Sequence, residues 1–257
     1  MSYRNLRRPL GLLIFLVLWQ AVSLSGLVSS ELMPGLGTIG AAIAGFVGQA
    51  EFWTSFFATV QRMLIGLIVA VALALLLAVI AGRYPVIRRM LLPITDIMRS
   101  LPPPALVPLL IFVLGIGPPL FYFIVIYGCM WPTYISASNA LATAEPVQVS
   151  TGRSFGLTDW QIMWQIRVPA ALPEAFTGIR LSAGISLLAT VATEMLVGGS
   201  GLGALIFDAG FSLLWDDMYA LMFIIGMLGI AMNQAVHMVR QPLAGWQSSY
   251  SAMGAQT

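Results

Sequence analysis

Long apolar runs alternate along the chain with short polar stretches that carry arginine. About 20 apolar residues in a row suffice to cross a bilayer as helix. On that measure the sequence predicts spans at roughly 10–28, 60–81, 102–116, 119–138, 174–197 and 218–237. The third is short and rich in proline (Pro102, Pro103, Pro104, Pro108), and the run GIGPP turns the chain into the fourth. Proline is tolerated in spans because neighbouring helices re-satisfy the freed carbonyls. The expectation is an all-α integral membrane protein, a single transmembrane domain over residues 1–257 with about six helices.

Composition agrees. The 257 residues are 59% hydrophobic and 9% charged, too few charges to keep a soluble domain of that length wet. A net charge of +2 gives no sign of a nucleic-acid partner. With one cysteine, Cys129, there is no internal disulfide and no multi-cysteine metal site. With one histidine, His237, there is no histidine cluster for metal or triad chemistry. All twelve basic residues are arginine, and every one except Arg62 falls on the same side of the predicted spans. The opposite side carries Glu31, Glu51, Asp208, Asp216 and Asp217. The positive-inside rule then predicts cytoplasmic termini and a cytoplasmic stretch between spans four and five. The first run also has the outline of a cleavable signal peptide, and removing it would leave the other spans oriented identically. Its retention is expected, because the apolar run extends through Val22 into an acid-bearing loop.

Residues 145–168 interrupt this pattern with a polar, tryptophan-bearing module. Pro146 suits the first position of a short helix, and Gly156 can end it in a left-handed cap. Thr158 opens a second helix, with Gln161 three residues on to complete a capping box. Trp160, Met163 and Trp164 share one face, and Pro169 is expected to end the helix before Pro173 reopens span five. Two readings remain open. The module is an interfacial helix lying on lipid headgroups, or it is a knob that a cytoplasmic partner grips to move spans four and five.

The same stretch resembles the cytoplasmic EAA loop of binding-protein-dependent ABC importer permeases, whose pattern is E-A-A-x3-G-x9-I-x-L-P. Here the positions are Ser150, Thr151 and Gly152, then Gly156, Ile166, Val168 and Pro169, with S-T-G in place of E-A-A. LPITDIMRSLPPPALVPLLIFVLGIG and ALPEAFTGIRLSAGISLLATVATEMLVGGSGLGALIFDAG are similar to the nitrate/sulfonate/taurine branch. The similarity runs from about Arg83 to Gly210. The resemblance implies a type I ABC importer permease fold in the bacterial inner membrane. It implies ATPase coupling through Ser150, Thr151, Gly152, Gly156, Leu157, Thr158, Trp160, Ile166 and Pro169. It also implies a second permease copy forming a homodimer, two ATP-binding subunits and a periplasmic or lipid-anchored solute-binding protein. ATP and Mg would sit in the ATPase partner, with no cofactor or metal on this chain, which lacks a G-x-x-x-x-G-K-[ST] run. The branch handles small oxyanions and sulfonates, and also pyrimidine precursors and aromatic acids, so a small anion is the expected solute.

Span five carries Gly178, Ser182, Ser186, Thr190 and Glu194 at i+4 spacing. Such a row either packs helices closely or lines a translocation pathway or dimer seam. Glu194 is expected to hold structure or a gate rather than bind solute, since a carboxylate repels anions. Arg62 could attract an anion or snorkel to headgroups, and Arg99 is expected to anchor the cytoplasmic mouth near Asp96. Rival classes are a secondary transporter or channel working alone and a membrane scaffold. The first predicts ion-coupling acids or a filter deep in the spans, and the sequence shows no paired acids there.

Overall fold

The apolar runs fold as helices in a computed structural model that describes residues 7–29, 31–143 and 146–244. In order they are α1 (Arg7–Leu24), α2 (Leu36–Val47), α3 (Ala50–Arg83), α4 (Pro85–Ser100), α5 (Val107–Leu114), α6 (Pro118–Ala142), α7 (Pro146–Ser154), α8 (Asp159–Ile162), α9 (Val168–Val197), α10 (Leu202–Phe211) and α11 (Trp215–Ala244). A 3-10 turn at Pro103–Leu106 precedes α5, and a π turn at Met163–Arg167 joins α8 to α9. There is no strand among the described residues.

Several predicted boundaries need correction. Among the described residues four helices are long and apolar enough to cross a membrane: α3, α6, the continuous Asp159–Val197 helix and α11. The fifth candidate is a pair, α4 with the 103–114 segment, bent by 85°. The predicted span at 102–116 is therefore a short limb, because Pro102, Pro103 and Pro104 break the ladder and leave α5 only 8 residues. The first predicted span, 10–28, ends at Leu24. Outside the predicted spans lie α2 and α10, apolar helices too short to span. Span two begins at Ala50, ten residues before its predicted start at 60.

The centre is a trio, α3, α6 and α9, brought together by small residues. On α3, Gly66, Ala70, Ala74, Ala78 and Ala81 are buried. A Cβ on Gly66 would stand 2.5 Å from Val125 of α6. On α9, a Cβ on Gly178 would meet Ser136 at 2.7 Å and the Pro132 carbonyl at 3.0 Å. In a bilayer no hydrophobic effect drives helix association, so close backbone approach must supply the packing contacts. A second cluster gathers Phe52, Leu202, Ile206, Leu221 and Ile224 around the α10 end of α11. α1 leans on α11 through Trp19, whose ring meets Tyr219 edge-on at 5.3 Å and whose Nε1–H donates to the Pro34 carbonyl at 3.1 Å.

Candidate functional site: the polar module and a buried ion pair

The polar module folds as a cornered pair of helices. α7 closes in a Schellman arrangement: the Gly156 N–H donates to the Arg153 carbonyl at 2.9 Å, and the Leu157 N–H to Gly152 at 3.0 Å. Gly156 sits at φ +79°, left-handed, where a Cβ would strain the backbone. Thr158 then caps α8. Its Oγ1 accepts from the Gln161 N–H at 3.3 Å, and its own N–H donates to Gln161 Oε1 at 2.8 Å. Both orphan donors are satisfied reciprocally. Glu145, at the predicted start of the module, lies outside the described residues.

Beyond α8 the helix does not stop at Pro169, as its sequence suggests. It runs unbroken from Asp159 to Val197, 39 residues. The π turn closes where the Val168 N–H reaches back to the Met163 carbonyl. In α geometry the Pro169 ring would press on the Gln165 carbonyl four residues back; the wider π turn opens that spot.

Most of the predicted coupling residues converge on one hollow of about 580 Å3, lined by Thr151, Gly152, Leu157, Ile166 and Pro169 with the exposed Phe155. Gly152 is the pivot, since a Cβ there would come within 2.7 Å of Ile166 and 3.3 Å of Leu157. Ser150 and Thr158 are exposed nearby. Trp160 departs from the set. It turns away with Trp164, edge to face at 5.7 Å, into a separate apolar groove against α3. Asp159 lies between Arg153 at 3.5 Å and Arg83 at 4.0 Å, both exposed pairs.

The span-five row is placed inside the bundle. Ser182, Ser186, Thr190 and Glu194 each have 0% of their surface exposed, and Gly178 is buried against α6. Ser182 donates to the Cys129 carbonyl at 2.7 Å and meets Thr133 at 2.8 Å. Ser186 and Thr190 return their hydroxyls to α9 carbonyls at 2.8 and 2.7 Å. In this conformation the row has the helix-packing role of the two expected: these residues pack α9 on α6 and α3.

Glu194 anchors what the sequence leaves scattered. Its carboxylate accepts from Arg62 at 2.8 Å, Thr59 at 2.9 Å and the Gly203 N–H at 3.0 Å. Arg62 continues to the Ser200 carbonyl and hydroxyl at 2.6 and 2.8 Å and lies 4.0 Å over the Phe121 ring. Thr59 also accepts from the Leu202 N–H at 2.8 Å. One network therefore ties α3, α6, α9 and the GGSGLG turn. Arg62 does not snorkel; it is spent on Glu194. Sequence reading missed Thr59, Ser200 and Gly203; two ionisable residues in neighbouring apolar spans were the available signal. Elsewhere Arg99 meets Asp96 at 3.3 Å, and Asn233, given no role from sequence, accepts from Arg180 at 2.7 Å. No group of acids, histidine and cysteine able to hold a metal occurs among the described residues.

Residues 70–241 match the family model of the binding-protein-dependent transport system inner membrane component. The chain belongs to that family. It is a multi-pass ABC transport permease, and its helical fold is the type I permease fold. It is similar to the taurine transport system permease protein TauC of Escherichia coli (strain K12), 27% identical over 242 residues, 91% of this chain and 87% of that one. It is likewise similar to the nitrate import permease protein NrtB of Synechocystis sp., 29% identical over 180 residues, 70% and 66% of the two chains. The bicarbonate transport system permease protein CmpB of the same organism is 26% identical over 247 residues, 92% and 88%. These relatives place the permease in the nitrate/sulfonate/taurine branch.

Proposed function

We propose that this permease works as one of two identical copies, each engaging a cytoplasmic ATPase through the 145–168 module, and imports a small anion delivered by a solute-binding protein. The observation that carries the reading is mechanical. A Schellman-closed, box-capped corner leads without a break into the 39-residue helix that crosses the membrane. A force on the hollow around Gly152 would reach α9 through rigid helix rather than a loop. ATP binding and Mg belong to the partner; this chain supplies the lever. Both termini are cytoplasmic on this reading, in keeping with the one-sided arginines.

The solute class rests on the relatives, named for taurine, nitrate and bicarbonate transport, solutes that share an oxyanion group. Since the span-five row is buried, the pathway runs along a different face of α9, where Thr177, Leu181, Gly184 and Leu188 are exposed at helical spacing.

Co-expression with an untagged candidate ATPase tests the lever. The ATPase is expected to follow the tagged permease through purification, and Gly156→Val, which forces a branched side chain into φ +79°, is expected to abolish the association. Retention of the ATPase by a Gly156→Val chain that folds and inserts normally would overturn the reading. Uptake of labelled nitrate, taurine and bicarbonate by the assembled complex then tests the solute class.

A further inference from the structure

Two cavities meet beside the coupling module, and the hollow described above uses neither. One is an apolar groove of about 610 Å3 between α3 and α9, lined among others by Leu76, Ile80, Tyr84, Trp160, Trp164 and Leu172. The other is a polar recess of about 210 Å3 formed by Arg83, Arg153, Arg167 and Asp159 with Pro85 and Met163. Arg83 borders both.

The recess holds three guanidinium groups against one carboxylate, so it carries an unbalanced double positive charge. Asp159 is shared between Arg153 and Arg83 at 3.5 and 4.0 Å, distances too long for either arginine to be fully paired. Arg167 has a buried Nε with no hydrogen-bond partner, one of two such side-chain atoms among the described residues. Buried polar atoms are nearly always bonded, so an unsatisfied donor on an arginine that lines a cationic recess adds to its demand for an acceptor. The groove next to it is the opposite environment. Its walls are almost wholly apolar, it opens along the sides of two spans, and the paired indoles stand at its polar end, where tryptophan marks the membrane interface.

We infer that the two cavities form one binding site for an anionic phospholipid of the cytoplasmic leaflet. The phosphate sits among Arg83, Arg153 and Arg167, with one acyl chain in the α3–α9 groove beneath Trp160 and Trp164. A soluble oxyanion would satisfy the recess but not the groove, and a zwitterionic lipid would fill the groove but leave the excess charge. Basic pockets between spans on the cytoplasmic side are suited to such headgroups. The consequence is positional: the lipid holds the 145–168 module against α3 on the side away from the Gly152 hollow, leaving that hollow free. The inference uses the cytoplasmic placement of the module proposed above but not its engagement by an ATPase.

Native mass spectrometry of the full-length permease released from nanodiscs of equal phosphatidylglycerol and phosphatidylcholine tests it. One phosphatidylglycerol per chain is expected to stay bound after mild delipidation, in preference to phosphatidylcholine. Arg167→Gln is expected to lower its retention about fivefold, the effect of one arginine near an anionic surface, and Arg167→Lys to restore most of it. Val79→Trp, which fills the groove, is expected to lower retention without changing the headgroup preference. Arg240→Gln, on another helix, is expected to leave it unchanged. Quenching of tryptophan fluorescence by brominated phosphatidylglycerol in the unmutated chain, beyond that by brominated phosphatidylcholine, needs no variant to fold. Equal retention of the two lipids, or retention untouched by both Arg167→Gln and Val79→Trp, overturns the site. Displacement by millimolar inorganic phosphate makes it a soluble-anion site and overturns it. So does retention confined to monomeric species, which would put a second copy in the groove, or loss of the lipid on adding the ATPase, which would put an acidic partner there. Failure of the ATPase to co-purify leaves all these readings intact, so the two tests are separable.

Discussion

Arg62 and Glu194, 132 positions apart, hold each other in a setting where either alone would be costly. Glu194 has no exposed surface and Arg62 only 17% of its side chain. Removing one partner of such a pair leaves an uncompensated buried charge, a loss of about 3–5 kcal/mol. Arg62→Met is therefore expected to destabilise the permease by that amount in mixed-micelle unfolding. Adding Glu194→Gln is expected to recover part of the loss, and strict additivity of the two single changes would rule out the pairing. Gly203 belongs to the same story. Its N–H must reach Glu194, and a Cβ there would collide with the Val191 carbonyl, so Gly203→Ala is expected to cost about 1–3 kcal/mol in the same assay. The sequence displayed these residues but not their meeting. A lone arginine and a lone glutamate near span ends each have an ordinary explanation, and only the packing of α3 on α9 turns them into a pair.

At the level of elements, local chemistry was legible and long-range continuity was not. The left-handed Gly156 and the Thr158–Gln161 box involve neighbours within a few positions, so spacing alone carries the geometry. The capping box gives a direct check. Thr158→Ala removes the bond to the Gln161 N–H and is expected to lower stability by about 1 kcal/mol. Thr158→Ser is expected to retain most of it, and equal losses from both changes would mean that the methyl group, not the oxygen, matters. Pro169 misled because a proline inside a helix normally removes one bond and pushes against the preceding turn. The π turn that accommodates it leaves no signature in the hydrophobic pattern. The same limit explains the polar row of α9: i+4 spacing puts Gly178 through Glu194 near one face, yet only the position of α6 decides whether that face meets protein or water.

For the whole molecule, the apolar runs gave the class and the order of the long helices, while span counting failed where length and burial part company. α2 and α10 are apolar yet too short to cross, and Ile43 and Phe46 of α2 pack with Leu202 and Ile206 of α10 in the cluster around Phe52 and Leu221. α4 and α5 divide one apparent span at a sharp bend. The proposed orientation rests on the one-sided arginines, and a single-cysteine experiment tests it cleanly, because the native Cys129 has no exposed surface to react. Ser154→Cys, in the module, and Ser212→Cys, between α10 and α11, are both at exposed positions and are separated by α9. A membrane-impermeant maleimide is expected to label Ser212→Cys in intact cells and Ser154→Cys only after permeabilisation. The reverse pattern would invert the molecule and remove the module from any ATPase. Labelling of both from one side would be more damaging, since α9 could then not cross the bilayer, and a lever that does not cross cannot carry a cytoplasmic stroke to the outer network around Glu194.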